Sequence, residues 1–77
     1  MKIPSIDQVM VVIAEMENNI NITEDILISD NNQDLRKTLK ENLKNNAKFL
    51  DSWIELFPDI KSLVVLKERA LAICKKY

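Results

Sequence analysis

Arg36, Lys40, Lys44 and Lys48 recur at every fourth residue, with Lys37 alongside. On a helix this spacing stacks the cations into a stripe, and such a stripe can follow a phosphate backbone. The surroundings weigh against that use. Asp34, Glu41 and Asp51 interrupt the run, no aromatic is interleaved, and no helix-turn-helix glycine turn is present. Charge runs on helices are usually solvated faces. The stripe therefore reads first as surface, paired with an acidic neighbouring helix, and nucleic acid is not the expected partner. A small DNA-binding regulator built on Arg36, Lys37, Lys40, Lys44 and Lys48 is the alternative.

Other chemistry has less to work with. The chain contains no histidine for acid–base work and no glycine for a phosphate-cradling loop. Cys74 is the one cysteine, so neither an intramolecular disulfide nor a His/Cys zinc site can form within one chain. It falls on an apolar helix face and reads as an inert core thiol in a reducing cytoplasm. The carboxylate pairs Glu15/Glu17 and Glu24/Asp25 point to different sides of a helix. No enzyme activity, cofactor or metal is expected.

The elements that carry these residues follow from composition. A chain of 77 residues, 47% hydrophobic and 30% charged, sits near the lower size limit for one self-sufficient core and reads as one folded domain over 1–77. Tight β turns lean on glycine for positive φ, and none is available. Long helices need few turns. The expected fold is all-α. The longest apolar run, Val9 to Ala14, falls far short of the roughly 20 residues of a membrane span, and Met1-Lys2-Ile3-Pro4 lacks the shape of a secretory signal. No membrane partner is expected.

The spacing predicts three helices. The first, α1, covers about residues 5–29; Ser5-Ile6-Asp7-Gln8 fits a capping box, and Ile6, Val9/Met10, Ile13, Met16, Ile20 and Leu27 follow at helical intervals. Asn18 to Asn21 are poor helix formers, yet the apolar phase crosses them without a slip. Asp30-Asn31-Asn32-Gln33 makes a turn from residues that tolerate left-handed backbone. The second helix, α2, covers about 33–57 with Leu35, Leu39, Leu43, Leu50, Trp53, Ile54 and Phe57 on one face, closed by Pro58. The third, α3, covers about 59–76 with Asp59 as its cap. The arrangement is an antiparallel three-helix bundle: a long α1–α2 hairpin with α3 packed across it. A dimer of such hairpins sharing a core is the runner-up.

Folding α1 onto α2 pairs positions whose numbers sum to about sixty-three. Leu43 then faces Ile20, Leu50 faces Ile13, Trp53 faces Met10 and Phe57 faces Ile6. Charge is compatible: residues 1–34 carry one Lys against seven Asp/Glu, net −6, and residues 35–50 carry five Lys/Arg against one Glu, net +4. The same register puts Asn46 opposite Glu17 inside the apolar seam, with Asn42 one turn earlier. That is the position of a polar layer that fixes register or marks a contact.

Left over are Val11, Ile22 and Ile26 on the far side of α1 and Val65 outside the apolar arc of α3. Scattered exposed apolar residues are ordinary; clustered ones mark association surfaces. Trp53 with Phe49 and Leu56 is a second candidate, since aromatics anchor interfaces, although a lone tryptophan is more often core. The expected function is a non-catalytic protein-binding module, an accessory factor such as an inhibitor, immunity protein, secretion chaperone or phage-encoded modulator. Its partner is a protein of unspecified identity. A homodimer, or a self-assembling structural helix, is the remaining alternative.

Overall fold

Ser5 opens α1 as its sequence demands. Its Oγ accepts from the Gln8 N–H at 3.3 Å, and the Gln8 Oε1 accepts from the Ser5 N–H at 2.9 Å, so two otherwise orphaned donors are satisfied reciprocally. The computed structural model describes residues 4–77; Met1, Lys2 and Ile3, on which the expectation about a secretory signal falls, lie outside them. The helices are α1 Ile6–Ser29, α2 Gln33–Leu56 and α3 Lys61–Lys76, with no strand among the described residues. The fold is an all-α three-helix bundle.

The asparagines at 18, 19 and 21 do not break α1. One turn on, the Thr23 hydroxyl donates to the Asn19 carbonyl at 2.8 Å without ending the helix. The first turn differs from expectation in mechanism. No non-glycine residue among those described has positive φ. Asp30 and Asn32 stay extended, and their side chains accept from the Asn32 N–H at 2.8 Å and the Leu35 N–H at 3.0 Å. Side-chain acceptors replace the left-handed backbone that glycine would supply.

Asp59 is not the cap of α3. The Ile60 N–H bonds the Phe57 carbonyl at 3.2 Å, closing a turn that holds Pro58 and Asp59 inside it. The helix begins two residues later than expected, from Ile60, which has no side-chain capping bond but packs against the core. An apolar anchor fixes the entry of the chain here.

The core is built from Val9, Ile13, Ile20 and Leu27 of α1, Leu43, Ala47 and Leu50 of α2, and Leu63, Leu66, Ala70 and Ile73 of α3. Ile20, Leu43, Ile13 and Leu50 are therefore inside, as the hairpin register requires. The outer two layers are corrected. Ile6 and Met10 are 58% and 57% exposed, Val9 is fully buried in their stead, and Trp53 and Phe57 flank the core half-buried. In a two-helix hairpin each helix turns a broad face to one neighbour. Here α3 packs against both other helices, so α1 points a narrow stripe between two neighbours.

Close backbone approach is also more extensive between α2 and α3 than between α1 and either neighbour. Ala47 and Ala70 explain it: both are buried and small, whereas α1 meets the others through Val, Ile and Leu. Interaxial distance follows side-chain bulk at the contact. The tight pair is thus α2–α3, with α1 laid against it, in a molecule of 42 × 21 × 16 Å.

Candidate protein-interaction face

Arg36 still lines one shallow depression with Lys37, Lys40, Glu41 and Lys44, but its guanidinium is engaged within the protein. Its guanidinium donates to the Leu27 carbonyl at 2.6 Å, the Asp30 carbonyl at 3.0 Å and the Tyr77 carbonyl at 3.1 Å. It ties the ends of α1 and α3 together and is not offered to a ligand. Lys37, Lys44 and Lys48 remain exposed and Lys40 half-buried, and of these Lys40 and Lys44 border α3. The Cys74 thiol meets the Lys40 carbonyl at 3.7 Å, and Lys44, Glu68 and Lys75 border one groove floored by Leu71, Ala72 and Cys74.

This placement corrects the expected pairing of acidic α1 with basic α2. Among the described residues the ion pairs are Lys67–Asp51 at 2.6 Å and Arg69–Glu24 at 3.4 Å. Both run from α3, one to each neighbour. Phase is the reason: with Leu43 and Ala47 inward, Lys40 and Lys44 turn to the α3 side. All four partners are partly exposed, so each pair contributes from nothing to about 1 kcal/mol.

The polar seam is likewise corrected. No polar or charged residue is buried among those described. Glu17 and Asn42 are exposed, Asn46 is half-buried, and the seam position belongs to Ala47. Leu43, Ala47 and Leu50 keep the four-then-three spacing that one inward face needs. Glu17 does not oppose Asn46 either. It borders a shallow depression with Met10, Ile13 and Asn21, whereas Asn42 and Asn46 line a groove between α1 and α2.

That α1–α2 groove brings together residues the sequence marked separately. Ile22 and Ile26 line it from α1, facing Leu39, Asn42, Asn45 and Asn46 of α2. Val11 and Val65 are not part of it; they stand exposed at 56% and 59% on other surfaces. Farther along the same flank of α2, Phe49, Trp53 and Phe57 form a ladder. Phe49 meets Trp53 edge-on with centroids 6.2 Å apart, and Trp53 stacks on Phe57 at 6.4 Å. Phe49 and Leu56 are each 46% exposed beside half-buried Trp53.

One feature of this flank escaped sequence reading. At about 100° per residue, Leu35, Thr38, Asn42, Asn45, Asn46, Phe49, Trp53 and Leu56 share an arc of about 100°. Every charged residue of α2 falls outside it. In a chain that is 30% charged, a strip of six turns without a charge is a departure from ordinary solvated surface. The signal was an absence at helical spacing, which a search for charges or motifs passes over.

Compared with protein-family models, curated proteins and solved structures, the chain matches none. Among the described residues, no helix is long and apolar enough to cross a membrane.

Proposed function

We propose that the chain is a small, non-catalytic protein-binding module acting through the α1–α2 face. The observation that carries this reading is the uncharged strip of α2, with Phe49 and Leu56 half-exposed beside Trp53. The cores of protein interfaces are depleted in charge and enriched in aromatics, and a few such anchors carry most of the binding energy. Ile22 and Ile26 extend the same surface onto α1. Val11 and Val65, apart from it, are ordinary exposed apolar residues in this reading. A reducing compartment, the cytoplasm, suits the unpaired Cys74.

The test is capture of a protein from extracts of the native host, identified by mass spectrometry. Phe49→Lys with Leu56→Lys should lower capture at least about 10-fold while circular dichroism stays unchanged. Val65→Lys should leave capture intact. Equal recovery by all three proteins would defeat the reading.

Nucleic-acid binding is the second reading, favoured by one observation: Arg36, Lys37, Lys40 and Lys44 line one depression, with Glu41 beside them. It ranks lower because Arg36 is engaged within the protein and the aromatic ladder lies on the opposite flank of α2. If it holds, binding to duplex DNA should weaken steeply with added salt and disappear in Lys40→Glu with Lys44→Glu. On the preferred reading this double variant changes nothing measurable in a DNA filter-binding assay.

A further inference from the structure

The α1–α2 groove carries polar side chains at matched intervals on both walls. Asn42 and Asn46 stand four residues apart on α2, and Asn19 and Thr23 stand four apart on α1. Four residues of helix rise about 6 Å. In an extended chain the N–H and C=O of alternate residues turn to the same side and recur about every 6.7 Å. A strand laid along the groove therefore shows every second residue's backbone to one wall and the intervening residues' to the other. We propose that the occupant of this groove is an extended, uncharged segment of a partner protein, held through its backbone by Asn42 and Asn46 on one side and by Asn19 and Thr23 on the other. This rests on the reading of the α1–α2 face as protein-binding and specifies the form in which the partner binds.

The polar groups themselves select this occupant. A carboxamide both donates and accepts, which is the pairing a peptide unit offers. A docked helix has met those backbone groups internally and has no use for a row of amides. An extended segment arrives with them free, and leaving them buried and unmet is costly. The two walls can serve both needs. Thr23 already donates its hydroxyl to the Asn19 carbonyl, so toward a ligand it is an acceptor, and the Asn19 carboxamide beside it supplies the donor.

Charge narrows the choice further. No Lys, Arg, Asp or Glu lines this groove, whereas Lys44, Glu68 and Lys75 border the α2–α3 groove and Glu17 borders the depression beside Met10. A charged segment would lose water here without gaining a counter-charge. Ile22, Ile26 and Leu39 lie among the amides and offer apolar surface to the side chains that an extended chain turns to one face at every second residue. Beyond Asn46 the uncharged strip runs on to exposed Phe49, so the track does not end with the amides.

A random-peptide phage library panned against the full chain tests this, with the Asn42→Ala, Asn46→Ala double variant as counter-screen. Peptides kept by the wild type should lack charge over a continuous stretch. The double variant should bind them about 10-fold or more weaker by fluorescence polarisation, with circular dichroism and the urea midpoint unchanged. Backbone N-methylation gives a readout that side-chain packing alone would not move. Methylating every second residue removes the donors that face one wall. In one of the two registers the loss on wild type should be about 10-fold and should nearly vanish on the double variant. In the other register it should persist on both proteins. An N-methyl profile that is flat, or that follows the three-to-four-residue spacing of a helix, overturns the proposal. So do charged peptides, peptides held equally by both proteins, or a selection that returns none. If the proposal fails while a host protein is still captured through Phe49 and Leu56, the protein-binding reading stands without it. Loss of that capture as well removes both.

Discussion

Replacing Arg36 with alanine should lower the unfolding free energy by about 2–4 kcal/mol, read as a fall in the urea midpoint at unchanged slope. The size follows from what the guanidinium touches. The carbonyls of Leu27 and Asp30 lie at the end of α1, and that of Tyr77 follows α3. Helix ends leave such carbonyls without intrahelical partners and concentrate partial negative charge there. Many helices resolve this with a glycine in the left-handed conformation, but this chain has no glycine, and the last turn of α1 has no basic residue. Arg36 supplies the donors from the first turn of α2. Hydrogen bonds to charged groups contribute about 1.5–3 kcal/mol each, and they are not additive. For a domain at the lower end of the 5–15 kcal/mol stability range, the loss is a large fraction of the whole. Arg36→Lys should recover only part of it, because a single ammonium lacks the planar fork that spans several acceptors. A midpoint shift worth less than about 0.5 kcal/mol would mean that the three bonds contribute nothing beyond a surface substitution.

Much of the backbone was legible because its causes are local. The Ser5–Gln8 box, the Asp30–Asn32 turn and the stop at Phe57-Pro58 each depend on residues a few positions apart, and each stands where the sequence places it. The alternation of apolar residues also located Ile13, Ile20, Leu43 and Leu50 in the core. What failed was the phase of each helix about its axis. Register arithmetic for two helices assumes that the broadest apolar face meets one neighbour. Helix α3 removes that assumption, and small rotations follow: Val9 replaces Met10, Ala47 replaces Asn46, and the lysines of α2 move from the α1 side to the α3 side.

Arg36 was illegible for a different reason. Its acceptors lie nine, six and 41 positions away, so no spacing rule joins them. The stripe of cations suggested one role for residues that the fold uses differently. Arg36 braces helix ends while lining one depression with Lys37, Lys40 and Lys44, and Lys44 also borders the α2–α3 groove. The candidate face shows the converse. Ile22 and Ile26 were noted as leftovers on α1, and Asn42 and Asn46 as members of a seam on α2. Correcting the rotation of α2 moves the asparagines out of the interior and onto the groove that the two isoleucines line. One rotation thus dissolves the polar seam and assembles the surface proposed for binding.

The same rotation predicts a pair of opposite stability outcomes. Ala47→Asn should cost about 2–6 kcal/mol, while Asn46→Ala should stay within about 0.5 kcal/mol, both measured at a protein concentration where the chain is monomeric. Ala47 is 4% exposed, on the helix whose close approach to α3 is the most extensive in the bundle. A larger side chain there forces the helices apart or off rotamer, costing about 1–3 kcal/mol. The amide also arrives without a partner, and mutational data put that at about 1–3 kcal/mol more. Asn46 lines an open groove, where water reaches its amide and nothing depends on its volume. Were α2 rotated so that Asn46 formed a layer with Glu17, the order would invert: Asn46→Ala would then disturb a buried polar contact, and Ala47→Asn would add one more polar group to the surface. Two urea titrations therefore distinguish the rotations. A small effect at Ala47 beside a large one at Asn46 would return the asparagine to the interior and break up the uncharged strip on which the proposed binding rests.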